Sequence, residues 1–279
     1  MAEWLCSGLQ SRVRRFDSGF SLHLISMPNQ KNVALIVARL SSSRLPKKNI
    51  LPICNIPMIS HLIHRVKRSK YVDEIIITTS NEESDDPFID IARSEGVSIY
   101  RGSLEDIMQR VINAAIEAKA DNIIEILGDN PLVDYRLIDD VAEIYLKNKS
   151  DYSATATVEY PKIDKSKKLF SVGLRVQMYS IDAACRYEEF KNTLSKDDHP
   201  SSFIFNNPDS FKLSFLEATD HWSFLNKPDL NFAVNYPKNF KLISKLFETF
   251  YPLNKDFTLN EIFDFLDQNQ HLLELLGPE

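Results

Sequence analysis

The sequence predicts an α/β protein with a mostly parallel central sheet, and three observations support this fold class. Short apolar runs rich in Ile and Val alternate with longer stretches in which apolar residues recur at helical spacing. The runs are continuously apolar, as expected for parallel strands that helices cover on both faces. With 279 residues, of which 43% are hydrophobic, the chain is long enough to bury such a sheet.

The alternation of strands and helices extends from residue 33 to residue 148. Ligands of parallel sheets bind at the carboxyl ends of the strands, where the connecting loops converge. The loops 39–48 and 128–134 follow two of the strands and are therefore the expected functional site. The strands are predicted at residues 33–38, 73–79, 97–100 and 122–127. The helices are predicted at residues 58–70, 86–95, 103–119 and 134–148.

The second half of the chain predicts a smaller, mixed part of the sheet. Strands are expected at 150–161, 172–180 and 211–218, the last two as an antiparallel extension. Helices are expected at 180–191 and 259–276. We therefore assign residues 33–256 to the main domain and residues 257–279 to a C-terminal helical appendage.

The first 32 residues differ from the rest and are expected to be poorly structured. The segment is rich in Arg and Ser, poor in acids, and shows neither helical nor strand periodicity. This composition is typical of targeting peptides. We favour instead a start upstream of the true one, with Met27 as the natural first residue.

Net charge and hydropathy exclude two classes of partner. A formal net charge of −6 argues against a surface that binds nucleic acid throughout, so any anion site must be local. No apolar run is long enough to cross a bilayer, and we expect no membrane partner. A cytoplasmic location follows as the expectation.

The loop 39–48 has the composition of a phosphate-binding loop. Its hydroxyl and backbone N–H groups can donate to phosphate oxygens, and its cations can neutralise charge. Pro46 stiffens the loop, which limits the entropy lost on binding. Neither a GxGxxG turn nor a P-loop occurs in the sequence. Composition alone fits a solvated connection equally well.

Four ordered motifs carry a resemblance to a known family. The segment ARLSSSRLPKK, followed by LPICNIPMISHLIHRVKRSK, resembles the signature of the cytidylyltransferases that activate acidic sugars. That group includes the 3-deoxy-manno-octulosonate and acylneuraminate enzymes, and the spore coat polysaccharide biosynthesis protein F family is the most similar branch. The likeness continues through VDEIIITTSNEESDD, VSIYRGSLEDIMQRV and ADNIIEILGDNPLVD. It covers about residues 33–267.

The resemblance implies a glycosyltransferase-A-like, three-layer α/β/α fold that binds CTP with Mg²⁺. Residues 33–256 would then be a nucleotidyltransferase domain, and family likeness suggests a homodimer. The family's R-x-x-S-x-R-L-P-x-K loop holds the triphosphate, and the matching residues are Arg39, Ser42, Arg44 and Lys48. The segments that approach the base, ribose and substrate are matched by Thr79, Arg101, Ser103, Asp106 and Arg110.

Two of these residues have a simpler interpretation. Asp106 and Arg110 are four residues apart on a predicted helix. They could form an ordinary exposed ion pair, which contributes about 0.3–0.5 kcal/mol.

Asp129 is the expected metal ligand, and with Arg39 and Lys48 it completes the predicted catalytic set. It follows an apolar strand and Gly128, so its carboxylate should project into the crevice at the strand ends. Mg²⁺ prefers hard oxygen ligands and takes one or two carboxylates together with phosphates and waters. The alternative, a helix N-cap, is weaker because Asp134 is better placed for that role.

The sequence departs from the family where the acceptor is expected. The family's V-D-x-P-E-D segment is VNYPKN here, so Asn235 stands at the second metal-ligand position. The family's G-L-D-V-E-V is GLRVQM, with Arg175 and Gln177 in place of acids. Either the acceptor is more anionic than usual or catalysis is weakened. Arg175 and His199 are the candidate acceptor contacts, and His199 is also a candidate base, although a lone loop His is more often structural or solvated.

The resemblance therefore predicts an enzyme that transfers CMP from CTP to an acidic sugar-like acceptor and releases pyrophosphate. Its place would be in surface polysaccharide or glycan precursor synthesis. A catalytically weakened nucleotide-binding relative is one alternative, kept open by Asn235. A nucleotide-sugar glycosyltransferase of related fold is another, but its D-x-D metal motif is poorly matched by the GDN at 128–130.

Overall fold

The computed structural model describes residues 30–194 and 199–276. Residues 1–29, most of the predicted leader, lie outside the described residues. The first strand already begins at Asn32, within the range that we expected to be poorly structured. Lys31 is also ordered, because its backbone N–H donates to Asp121 Oδ2 at 2.8 Å.

A seven-stranded mixed sheet forms the centre of the protein, in the order β5-β4-β1-β6-β8-β7-β9. Only β8 runs antiparallel to its neighbours β6 and β7. The seven strands are β1 Asn32–Val37, β4 Glu74–Ser80, β5 Ser98–Gly102, β6 Asn122–Leu127, β7 Tyr152–Thr155, β8 Gln177–Ser180 and β9 Leu213–Leu216. A separate hairpin consists of β2 Pro52–Ile53 and β3 Ile56–Pro57.

The predicted pairing of the last two strands was wrong. β9 does not pair with β8 but runs parallel to β7, with Tyr152 opposite Leu213. β7 therefore lies between the two strands that were expected to be neighbours.

Helices cover both faces of the sheet, which confirms the three-layer architecture. The helices are α1 Met58–Val66, α2 Pro87–Glu95, α3 Ile107–Glu117, α4 Tyr135–Asn148, α5 Ile181–Cys185, α6 Tyr187–Phe190, α7 Ser202–Phe205, α8 Pro237–Phe250 and α9 Leu259–Gln268. Short 3₁₀ turns lie at Lys48–Ile50, Glu83–Asp85, Lys191–Thr193, Asp220–Leu225 and Gln270–Leu276. No helix of the described residues is long and apolar enough to cross a membrane.

The core has two halves, and β1 contributes to both. Ala34 and Ile36 pack toward α1, α2, α4, α8 and α9, whereas Val33 and Leu35 pack toward α3, α5 and α7. Both sets are fully buried because successive strand residues point to opposite faces. Buried apolar residues of α9 belong to the same core, so the predicted C-terminal appendage packs directly on the main domain.

The strand register brings the predicted site loops together. Val37, the last residue of β1, lies opposite Thr78 of β4 and Leu127 of β6. The segments that follow these three strands consequently start side by side at one edge of the sheet.

A buried ion pair fixes the start of α4. Asp134 is 1% exposed and caps the helix by accepting a hydrogen bond from the backbone N–H of Arg136 at 2.9 Å. Arg65, buried on α1, donates to the same carboxylate at 3.2 Å. Burial alone would raise the pKa of Asp134, but the hydrogen bond from Arg136 and the charge of Arg65 outweigh it and lower that pKa.

We expect Asp134→Ala to destabilise the fold by about 3–5 kcal/mol at neutral pH, because it leaves Arg65 buried and unpaired. A lowered carboxyl pKa stabilises the fold above its unfolded value of about 3.9, and this contribution is lost as the pH falls through the folded value. Urea unfolding of the wild type and of Asp134→Ala should therefore show a difference in the free energy of unfolding that becomes smaller between pH 7 and pH 3. The exposed Asp264→Ala is the control and should change stability by less than about 0.5 kcal/mol. An equal difference in the free energy of unfolding at pH 7 and at pH 3 would contradict this account.

Candidate functional site

A cleft of about 300 Å³ opens where β1 and β6 end. Gly128 allows the close approach of its two sides, since a Cβ there would lie 2.9 Å from the Cβ of Ala38. The cleft joins the loop after β1 to the turn after β6, as the sequence predicted. Its polar lining consists of Arg39, Ser41, Ser42, Ser43, Arg44, Lys48, Asn49, Arg110 and Asp129.

The loop 39–48 is anchored by Asp85, a residue that the sequence did not indicate. Its buried carboxylate accepts hydrogen bonds from Leu40 N at 2.7 Å, Thr79 Oγ1 at 2.8 Å and Ser80 N at 3.2 Å. Burial alone would raise the pKa of Asp85, but these donors and the Ser80 hydroxyl lower it by more. The pKa of Asp85 is therefore below its usual range. A charged carboxylate therefore ties the loop to the end of β4.

Lys48 lies between the two sides of the cleft. Its Nζ donates to Asp129 Oδ2 at 2.6 Å and to the carbonyl oxygen of Val234 at 2.9 Å. The Val234 backbone in turn donates to the carbonyl oxygen of Asp129 at 2.8 Å. The segment before α8 is therefore held against the turn after β6.

Arg44 and Asn235 are also brought together. Arg44 Nη2 donates to Asn235 Oδ1 at 3.0 Å, and the guanidinium lies 5.3 Å from the ring centre of Tyr236. Asn239, which replaces a family acid, accepts from the backbone N–H of Tyr236 at 3.0 Å and helps to cap α8.

Arg110 lies in the cleft rather than on the surface. It is 1% exposed, and its Nη1 donates to the carbonyl oxygen of Ser103 at 2.7 Å. Burial lowers its pKa to about 10, which leaves the guanidinium charged at neutral pH. Asp106 instead caps α3 by accepting from Gln109 N at 2.9 Å. The alternative of an exposed Asp106–Arg110 pair was therefore wrong.

Besides Asp106, three further predicted nucleotide contacts bond to neighbouring residues and do not line the cleft. Thr79 is fully buried and donates to Asp85, and Ser103 Oγ accepts from Asp106 N at 3.0 Å. Arg101 donates to the carbonyl oxygens of Ser80 and Glu82 at 3.0 and 2.9 Å. None of the three is among the residues that line the cleft. Their contact with nucleotide stays a prediction.

A second pocket of about 540 Å³ adjoins the cleft and shares Arg44, Leu127 and Asp129 with it. Arg175 and His199 both line this pocket, which brings the two predicted acceptor residues together. The other polar lining residues are Asn130, Glu159, Ser202, Asn206, Asn231 and Asn235.

Arg175 is held rigidly at the wall of the second pocket. It is 3% exposed, donates from Nη2 to Gln177 Oε1 at 2.7 Å and lies 3.7 Å from Glu159. Its guanidinium stacks 4.7 Å from the ring centre of Tyr160. Burial alone would lower the pKa of Arg175, but the neighbouring tyrosines and carboxylates raise it. Arg175 is thus a fixed positive charge.

His199 is a neutral hydrogen-bond donor. The backbone N–H of Ser201 donates to its Nδ1 at 3.3 Å, a contact that favours the tautomer with the ring proton on Nε2. Nε2 lies 3.2 Å from Glu125 Oε1 without the alignment of a hydrogen bond. Burial and the nearby Arg175 keep the pKa of His199 well below its usual value. The ring is neither solvated nor free to accept a proton at Nε2.

Unpartnered polar atoms mark both cavities. Among the described residues, ten buried side-chain atoms have no hydrogen-bond partner, and seven of them belong to residues that line the cleft or the second pocket. Since buried polar groups are normally paired, these atoms indicate where a polar ligand binds. The seven atoms are Asn49 Oδ1, Arg110 Nε, Asp129 Oδ1, Asn130 Oδ1, Arg175 Nε, His199 Nε2 and Ser202 Oγ.

Comparison with known proteins identifies the family. The sequence pattern of the cytidylyltransferases matches residues 33–249. The chain belongs to the cytidylyltransferase family. An uncharacterised protein of Methanocaldococcus jannaschii is 32% identical to this cytidylyltransferase over 87% of the chain and 93% of its own length. The spore coat polysaccharide biosynthesis protein SpsF of Bacillus subtilis is 26% identical over 84% of the chain and 93% of its own length.

The fold agrees with the family. A solved cytidylyltransferase from Leptospira borgpetersenii superposes with a TM-score of 0.75 at 22% identity, covering 90% of this chain and 99% of that one. This confirms the predicted glycosyltransferase-A-like α/β/α fold. The protein is accordingly a nucleotidyltransferase, and its family is expected to bind CTP.

Mg²⁺ is the cofactor predicted for this cytidylyltransferase, and Asp129 fits it. Asp129 Oδ1 is buried and unpartnered, as a metal-binding oxygen should be. Asn235 fits less well, because its side-chain oxygen already accepts from Arg44 and carries no charge. Of the two predicted ligands, Asp129 alone can offset the charge of a divalent cation.

We expect Asp85→Asn to weaken CTP binding about tenfold, because an amide oxygen cannot replace both carboxylate oxygens that hold Leu40, Thr79 and Ser80. Isothermal titration calorimetry measures this effect, and circular dichroism checks that the fold is retained. The matched control is Asp86→Asn, which removes the neighbouring, more exposed carboxylate that pairs with Arg101. Equal losses in the two variants would show that Asp85 has no special role in positioning the loop.

Proposed function

We propose that this cytidylyltransferase transfers CMP from CTP to an acidic sugar-like acceptor and releases pyrophosphate. The observation that carries the proposal is that the cationic cleft and the second pocket meet at Arg44 and Asp129. A nucleotide bound in the cleft would place its α-phosphate at this junction, facing an acceptor in the second pocket.

The cleft suits a triphosphate. Arg39, Arg44, Lys48 and Arg110 contribute four cations to its wall, against the one carboxylate of Asp129. Arginine forks and a lysine ammonium are the usual partners of phosphate oxygens. The serine hydroxyls of the same loop supply neutral donors.

The second pocket suits a sugar acid. Arg175 and His199 both line this pocket, and each has an unpartnered ring or guanidinium nitrogen, Nε2 and Nε respectively for His199 and Arg175, that would donate to an acceptor carboxylate. The unpartnered Asn130 Oδ1 and Ser202 Oγ can pair with hydroxyls. A polyhydroxylated carboxylate meets all four requirements, whereas a neutral sugar leaves the charge of Arg175 only partly offset by Glu159.

The chemistry then follows from position and charge. An acceptor hydroxyl, taken to be the anomeric one, attacks the α-phosphorus in line. The new O–P bond forms, the bond to pyrophosphate breaks with its electron pair on the leaving oxygen, and the hydroxyl proton passes to solvent water. The cations of the loop would hold the leaving pyrophosphate. Because the two sites hold the reactants next to each other in a productive orientation, the entropic cost of bringing them together is lower. Mg²⁺, when bound at Asp129, would add further charge stabilisation on the phosphates. With its ring proton on Nε2, His199 would orient the acceptor as a hydrogen-bond donor, and its lowered pKa disfavours a role as the base.

The relatives support a role in surface polysaccharide or glycan precursor synthesis, because SpsF is named for spore coat polysaccharide biosynthesis. A second candidate is a weakened enzyme that mainly binds nucleotide. It is favoured by Asn235, whose oxygen is committed to Arg44 where the family has a charged metal ligand.

The deciding experiment is a turnover assay with CTP, MgCl₂ and a panel of ulosonic acids, following pyrophosphate release. We expect turnover with at least one sugar acid, none with the matching neutral sugars, and none with ATP or GTP in place of CTP. Asp129→Asn is the background control, since it removes the charged metal ligand while keeping the side-chain shape. CTP binding without turnover on any acid would favour the weakened relative.

A further inference from the structure

The ammonium of Lys48 is held in a cage of oxygens. Asp129 Oδ2 lies 2.6 Å from Nζ, the carbonyl oxygen of Val234 2.9 Å, and Asn235 Oδ1 3.5 Å. The side chains of Lys48 and Asp129 are only 11% and 20% exposed, so bulk water screens the pair weakly. These oxygens are of the kind that a divalent cation prefers.

A divalent cation on Asp129 would have to share that cage with Lys48. Asp129 Oδ1 is free of partners, but it belongs to the carboxylate that Lys48 already neutralises. Asn235 contributes an uncharged oxygen, which already accepts a hydrogen bond from Arg44 Nη2 at 3.0 Å. Arg39 and Arg110 line the same cleft. The cleft thus holds one carboxylate, which Lys48 contacts directly, against four protein cations, and a further cation would be repelled.

We propose that Lys48 keeps divalent cations off Asp129 until a polyphosphate reaches the cleft. The phosphate charges would then draw the flexible lysine toward the nucleotide and leave Asp129 free, so the metal enters together with CTP. The second step rests on the proposed function, whereas the exclusion step depends only on residues of this chain. Lys48 would thus control when a metal ion reaches Asp129, in addition to contacting phosphate in the proposed reaction.

The test is a calorimetric titration of MgCl₂ into the full chain without nucleotide. The wild-type protein should show no saturable binding at millimolar Mg²⁺, and Lys48→Met should bind at least about tenfold more tightly. Lys48→Arg is the matched control, because it keeps the positive charge and should resemble the wild type. Lys48→Gln provides a second neutral variant if Lys48→Met fails to fold.

A second readout is thermal unfolding with and without MgCl₂. Mg²⁺ should raise the melting temperature of the neutral variants and leave that of the wild type unchanged, since a ligand stabilises only the state that binds it. Adding Asp129→Asn to a neutral variant should abolish the gain. Mg²⁺ binding by the wild type as tight as that of the neutral variants, or no binding by them, would overturn the proposal. The measurement uses neither CTP nor acceptor, so it is independent of whether the proposed transfer reaction is right.

Discussion

The contact between Lys48 and Asp129 is the interaction on which the site depends. It connects the loop after β1 to the turn after β6, and the same ammonium reaches the segment before α8 through Val234. Three stretches that are far apart in the chain are thereby held within hydrogen-bonding distance of one atom. Removing either charge leaves the other partly buried and uncompensated, which is costly in a weakly screened position. The cleft therefore owes its shape to charges that are also suited to bind phosphate.

Rigid elements behind the cleft support this arrangement. Asp85 links the loop 39–48 to the end of β4 through hydrogen bonds to both. The ion pair of Arg65 and Asp134 fixes the start of α4, which follows the turn after β6. Gln177 accepts hydrogen bonds from Ser201 and from Arg175, which lines the second pocket. An acid at this position would lie beside the fully buried Glu125, which is 3.4 Å from Gln177 Nε2. Burial already raises the pKa of Glu125, and an acid in place of Gln177 would add a second buried carboxyl group beside it.

The sequence predicted the local elements better than their long-range contacts. The strand 122–127 has its predicted bounds because its Ile and Leu residues stand between turn-forming residues, even though Glu125 interrupts the apolar run. The pairing of β9 with β7 could not be predicted, since it depends on which edge is free after the sheet has formed. Asp85 lies in an acidic turn that looks solvated, and Arg110 is a charged helix residue of a type that is seldom buried. The role of Asp85 and the burial of Arg110 become visible only in the fold, whereas the resemblance had already named Arg110 as a site residue.

The central claim, that the loop 39–48 holds the phosphates of CTP beside Asp129, is tested most directly by hydrogen–deuterium exchange. The account predicts that CTP with MgCl₂ slows exchange of the backbone amides in 39–48 and 127–130, and that CMP protects the loop much less because it lacks the β- and γ-phosphates. Unchanged exchange in this loop at saturating CTP, or equal protection by CMP, would contradict the account.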